Sequence, residues 1–169
     1  NPISSTDVVN YQPGTLSVTT YFRRELDAAQ CDATSNIVTV TVNPKPVVSI
    51  LANASARCVY DAGSVSFTAS TGTAPFDITL VVTKPGGTTD TIRQTISNNG
   101  PANIQVIAPE SATGNYSVQL FQVRDNNGCE RNNITPVASI IVKPRPVFTL
   151  LASPPSVCNG NSSTLTVSG

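Results

Sequence analysis

The sequence has no histidine, no methionine and no tryptophan, and only 12% of its 169 residues are charged. Each absence removes a class of function. Without histidine the commonest general base and the imidazole metal ligand are missing. A serine or cysteine nucleophile would need another base, and neither a G-x-S-x-G elbow nor a phosphate-cradling glycine loop occurs. Ten basic residues balance ten acidic ones, so bulk charge attracts neither nucleic acid nor an anionic membrane. No signal peptide and no apolar run of bilayer length is visible. With no methionine, Asn1 is not a translation start, and the chain is expected to be a slice of a longer one.

The acidic residues do not assemble in sequence either. Asp61, Asp77, Asp90, Glu110, Asp125 and Glu130 stand singly among turns and strand faces, which gives no signal for the paired acids of a glycosidase. DNNG at 125–128 holds oxygen atoms of the kind a hard cation such as Ca2+ takes. The same four residues suit a hairpin turn, because Asn and Gly tolerate positive φ, and the turn is the reading favoured. KPGG at 84–87 is likewise a turn. The expectation is a non-enzyme with no cofactor, no metal and no nucleic-acid partner.

What the chain does have is repetition. PKPVVSILANASARC at 44–58 returns as PRPVFTLLASPPSVC at 144–158, an offset of 100 residues. Laid over one another, 47–69 and 147–169 share Val47/Val147, Leu51/Leu151, Ala52/Ala152 and Cys58/Cys158. The other half of the unit repeats too. GTLSVTTYFRRELDAAQC (14–31) corresponds to GNYSVQLFQVRDNNGC (114–129), and SNIVTVTVNPKP (35–46) to TPVASIIVKPRP (135–146). A fixed offset on separate blocks marks a structural repeat. It divides the chain into the C-terminal part of one unit (1–46), a complete unit (47–146) and the N-terminal part of a third (147–169).

The complete unit reads as all-β, with strands near 47–52, 64–70, 76–83, 89–96, 103–108, 115–124 and 134–143. Val65/Phe67/Ala69, Phe76/Ile78/Leu80/Val82, Tyr116/Val118/Leu120 and Ala138/Ile140/Val142 each put apolar side chains on one face at period two. DAG, KPGG, SNNGP and DNNG punctuate them. Seven short strands in one unit is the count of an immunoglobulin-like sandwich. Tyr116 stands where such folds place a tyrosine corner, or is a plain core aromatic.

On these residues the chain resembles a known family. TLSVTTYFRRELDAAQCDATSNIVTVTVNPKP, and later GNYSV…DNNGC…IIVKPRP followed by VCNGNSSTLTVSG, are similar to immunoglobulin-like and PKD-like tandem repeats of giant surface adhesins of Bacteroidota. Those adhesins leave the cell by type IX secretion, and the SprB-type gliding adhesins are the best-known kind. The third strand carries PFDITLVV where the commonest pattern has a tryptophan. The resemblance implies tandem β-sandwich domains in an extended array, exported to the cell surface. The partners it implies are neighbouring repeats of the same chain, surface glycans or abiotic surfaces, and the secretion and gliding machinery. Asp90-Thr91-Ile92 is similar to the short O-glycosylation motif of the same bacteria, which makes Thr91 the candidate acceptor. The Asn-x-Ser/Thr sequons at Asn53, Asn115, Asn133 and Asn161 would stay bare in a bacterium.

Four cysteines fall on two repeat positions: Cys58 and Cys158 before the second strand, Cys31 and Cys129 after the sixth. Without histidine or a C-x-x-C pair, disulfides in an oxidising compartment suit this spacing better than metal. A Cys58–Cys129 bond inside the complete unit would close a long loop and contribute about 3–5 kcal/mol in the chain-entropy model. In an immunoglobulin-like sandwich, however, those turns lie at opposite poles, about 30 Å apart along a strand. The Cα atoms of a disulfide lie within about 7 Å. A second pairing joins the early cysteine of one unit to the late cysteine of the next, across the junction. A third state leaves all four as free, packed thiols.

The junctions are Pro44-Lys45-Pro46 and Pro144-Arg145-Pro146. Proline fixes φ and extends the residue before it, so each junction is a short, stiff spacer. The functional expectation is a stalk or shaft segment of a cell-surface adhesin. Accessory or carbohydrate-binding modules of a secreted hydrolase, or a structural filament or sheath, are the alternatives. Exposed aromatics would favour the hydrolase module, and Tyr60 is the one obvious candidate in the full unit.

Overall fold

The structure, a computed structural model, describes residues 10–27, 31–109, 112–134 and 137–169. Among them every regular element is a strand. Near the N-terminus β1 (Thr20–Phe22), β2 (Glu25–Leu26), β3 (Ala33–Thr34) and β4 (Val38–Val40) form two small antiparallel pairs, β1 with β4 and β2 with β3. The central region holds β5 (Val47–Ala52), β6 (Ala56–Cys58), β7 (Gly63–Thr71), β8 (Phe76–Thr83), β9 (Thr89–Ile96), β10 (Ala102–Ile107), β11 (Gly114–Arg124), β12 (Glu130–Asn132) and β13 (Val137–Lys143). A last antiparallel pair is β14 (Thr149–Ser153) and β15 (Thr164–Ser168).

The central strands make two sheets, one in the order β5-β7-β10 and one in the order β6-β13-β11-β8-β9. β12 pairs with β11 beyond the end of β13, so Gln122–Arg124 are bracketed by β8 on one side and β12 on the other. β6 pairs parallel to β13, which carries the chain from the first sheet to the second between β5 and β7.

One core lies between the sheets. Val65, Phe67 and Ala69 of β7 meet Phe76, Ile78, Leu80 and Val82 of β8, Tyr116, Val118 and Leu120 of β11, and Ala138, Ile140 and Val142 of β13. The alternating apolar faces read from the sequence are therefore the buried faces, and the region is sandwich-like. The Phe67 and Phe76 rings, one from each sheet, lie with centroids 5.9 Å apart in a tilted arrangement that aromatic quadrupoles favour. Burial of each large side chain here stabilises by about 1.5–3 kcal/mol.

The strands fall close to their expected positions, with three differences. β6 and β12 lie outside the seven expected strands; at three residues each they are too short for any periodicity, and only their partner strands define them. The seventh strand was read as starting at 134, but β13 begins at Val137, and 135–136 lie outside the described residues. β11 also contains a bulge. Leu120 faces Leu80 and the next pairing is Gln122 with Thr79, so Phe121 is the extra residue. Strict alternation would send Gln122 inward; the bulge sends it outward and Val123 into the core.

The repeat is visible in register. β5 pairs Ser49 with Thr68, Ile50 with Phe67 and Ala52 with Val65; β14 pairs Thr149 with Ser168, Leu150 with Val167 and Ala152 with Leu165. Every partner is displaced by 100. The N-terminal pair departs from this. Val118 of β11 faces Ala138, which translates to Val18 opposite Val38, yet Val38 faces Phe22. Among the described residues neither flanking piece has a buried face: β1 is at most half-buried, and β4, β14 and β15 are exposed throughout.

Candidate functional site

Three places on the central region gather the polar side chains that the sequence singled out: its two ends and the outer face of the larger sheet.

At the end where β5 begins, the junction is packed into the sandwich. Pro46 is fully buried, and Thr71 Oγ1 donates to the Lys45 carbonyl at 3.1 Å while accepting from the Val47 amide at 2.9 Å. Gly72, at φ 101°, admits this approach: a Cβ there would stand 3.0 Å from Pro46 Cβ and 2.9 Å from Phe76 Cε1. The 125–129 turn closes the same end. Asp125, 4% exposed, accepts from the amides of Asn127 (3.0 Å), Cys129 (2.9 Å) and Thr73 (3.1 Å). Gly128 takes φ 78° and donates to the Asp125 carbonyl at 2.9 Å. The DNNG motif is thus a hairpin turn whose carboxylate is engaged by three N–H groups. No cluster of three or more Cys, Asp or Glu able to hold a metal occurs among the described residues.

At the opposite end the second junction is clasped from outside. Arg145 Nε donates to the Val59 carbonyl at 2.7 Å, and its Nη2 to Asp61 Oδ1 at 3.0 Å. Its guanidinium lies 5.7 Å from the centroid of the Tyr60 ring, so the aromatic considered for glycan stacking has a cation over it. Pro144 and Pro146 flank this arginine and are exposed, unlike the buried Pro46; Pro44 is exposed as well. A cleft of about 300 Å³ beside the clasp is lined by Arg57, Cys58, Asp61 and Lys143.

All four cysteines are free thiols. Cys58 pairs with Lys143 at the end of β13, next to Val142, which faces Gly114 at the start of β11. Cys129 follows the far end of β11 and donates to the Asn43 carbonyl at 3.6 Å. The length of β11 separates the two by about 35 Å, far beyond disulfide reach. Cys31 precedes β3 and Cys158 lies between β14 and β15, both exposed. Each central cysteine sits beside a junction, Cys129 at the first and Cys58 at the second.

The remaining calls of chemistry are dispersed. Thr91 is exposed on β9, the outer strand of its sheet, beside an Asp90–Lys84 ion pair of 2.7 Å. Glu110 lies outside the described residues. Tyr116 is buried, and its hydroxyl donates to the Ala112 carbonyl at 3.0 Å, the hydrogen bond of a tyrosine corner.

Asp77 and Glu130, unrelated in sequence, come to the same outer face. The register sets Thr95, Asp77, Arg124 and Glu130 in one cross-strand row, and Arg93, Thr79, Gln122 and Asn132 in the next. Glu130 Oε1 accepts from Gln122 Nε2 at 2.8 Å and Asn132 Nδ2 at 2.7 Å. These two bonds, with the charges of Arg124 and Lys45, hold its carboxyl below the usual glutamate range. All residues of the two rows but Asn132 line a concavity of about 410 Å³. Sequence reasoning missed it because the alternation marks these residues only as outward-facing. Which of them adjoin is decided by register and by the β11 bulge.

Among known proteins, a family model described as a domain of unknown function, DUF8696, matches residues 1–44. That match covers the N-terminal piece and ends at the first proline of the first junction. No curated protein matches the chain.

Proposed function

We propose that the chain is a stretch of tandem immunoglobulin-like units forming the shaft of an exported cell-surface adhesin, of the SprB-type kind that it resembles. The observation that carries the reading is the second junction: a Pro-x-Pro spacer whose central arginine is bonded to the 59–61 loop of the unit it leaves. Such a joint restricts the angle between successive units. The strand order of the central region, with the first edge crossing from one sheet to the other through β6, supports an immunoglobulin-like assignment. The repeated register of β14–β15 supports a further unit of the same kind. In that array each unit extends the rod by roughly the length of β11, about 35 Å. The free thiols at the two poles suit bonds between neighbouring units, each Cys58 equivalent meeting the Cys129 equivalent of the next.

Antibodies raised against this chain, applied to intact source cells, test the reading. Labelling along surface filaments and reduced attachment to glass are expected. Labelling confined to a soluble secreted enzyme would sink the shaft and favour an accessory module of a hydrolase.

A further inference from the structure

The outer face of the β9-β8-β11-β12 ribbon contains an imbalance of donors and acceptors. Its two carboxylates are served by neutral donors: Asp77 by Thr95 Oγ1 at 2.6 Å, and Glu130 by Gln122 and Asn132. Its two guanidinium groups, Arg93 and Arg124, ion-pair with no described residue and donate no side-chain hydrogen bond to one. Asp77 and Glu130 are already hydrogen-bonded by neutral partners, so the charged donors left without a side-chain hydrogen bond are the two guanidinium groups, on a face whose two carboxylates and two cations balance. They line one concavity of about 410 Å³, within the range of small-ligand sites and larger than a lone carboxylate requires. Its floor is polar rather than aromatic, with the Thr79 hydroxyl directed to Gln122 Oε1 at 3.5 Å. A planar guanidinium grips a carboxylate through two parallel hydrogen bonds, while amide and hydroxyl groups exchange hydrogen bonds with ring hydroxyls.

We infer that this face binds an acidic saccharide, a uronic acid unit of a polysaccharide, with its carboxylate between Arg93 and Arg124 and its hydroxyls on Thr79, Gln122 and Asp77. The bulge at Phe121 is what makes the site, since it turns Gln122 and Arg124 outward beside Asp77. The inference stands apart from the shaft reading: a hydrolase module carrying the same face would bind the same sugar.

The test is a titration of the isotope-labelled full chain with trigalacturonate, followed through its amide resonances, with maltotriose and sodium sulfate as parallel probes. Saturable shifts at Asp77–Thr79, Arg93–Thr95 and Gln122–Arg124 are expected, with maltotriose at least ten-fold weaker. Arg93→Gln and Arg124→Gln each lose at least ten-fold in affinity, while Arg145→Gln at the far pole binds as the parent does. Both site variants lie on an exposed face and retain the parent spectrum elsewhere. Absence of saturable shifts, equal binding of maltotriose, or unchanged affinity in both arginine variants overturns the site. Sulfate binding as tightly as trigalacturonate overturns the saccharide assignment and leaves a simple anion site.

Discussion

The antiparallel pairs β5–β7 and β14–β15 share one register, displaced by 100 residues, yet their environments are opposite. Phe67 and Val65 are 0% exposed, whereas their counterparts Val167 and Leu165 are 66% and 63% exposed. Pairing of adjacent strands is a local matter that alternation and turn length can specify. Burial is not local: it needs β8, β11 and β13 to bring a second sheet over the first. The N-terminal pair, uncovered as β14–β15 is, departs in register from the unit it resembles, so without cover the register is kept in one piece and lost in the other. Register is strongly specified where one face is buried and weakly where neither is.

The largest expected effect breaks the comparison directly. Phe67→Ala lowers stability by about 3–5 kcal/mol, while Val167→Ala changes it by no more than about 0.5 kcal/mol; denaturant unfolding with an unchanged m-value reads both. Next, Asp125→Ala frees three amides at the first pole and costs about 2–3 kcal/mol, and added Ca2+ does not raise the parent's melting temperature. A calcium-dependent rise would reinstate the cation loop. Tyr116→Phe removes one buried hydrogen bond and costs about 1 kcal/mol, an interaction with no counterpart in the N-terminal piece, where the aligned residue is Leu16. Arg145→Ala costs less than about 1 kcal/mol because its ion pair is exposed. Its effect appears in amide relaxation, where residues 147–169 gain motion relative to the central region. Unchanged relaxation would mean the clasp does not stiffen the joint.

The smallest effect concerns protonation. Hydrogen bonds from Gln122 and Asn132 depress the Glu130 carboxyl, so whatever the ionised form contributes is present above the unfolded value and lost as pH falls through the folded one. Gln122→Ala moves its carbon-detected titration back toward the ordinary glutamate range. A titration left in place would assign the depression to Arg124 and Lys45 instead.

Much of the central sandwich was legible because β7, β8 and β13 alternate apolar residues throughout and β11 does so as far as Leu120, and a period-two apolar pattern has one sensible burial. The DNNG turn was legible for a similar reason, since Asp and Gly at those positions carry their own backbone preference. β6 and β12 were not, because three residues hold no period and exist only through β13 and β11. The candidate saccharide face was hidden more deeply. Asp77, Arg93, Arg124 and Glu130 span more than fifty positions of sequence, and nothing in their spacing says they adjoin.

By itself the sequence determined the all-β character, the repeat interval, the place of the Pro-x-Pro segments and which faces are apolar, all of which depend on near neighbours or on simple periodicity. Tertiary structure alone decided that Arg145 fastens its own junction, that Asp77 and Glu130 share one outer face, and that a bulge turns Gln122 outward. Those facts depend on which strands pair and in what register, and pairing across tens of residues is fixed only when two sheets close over a common core.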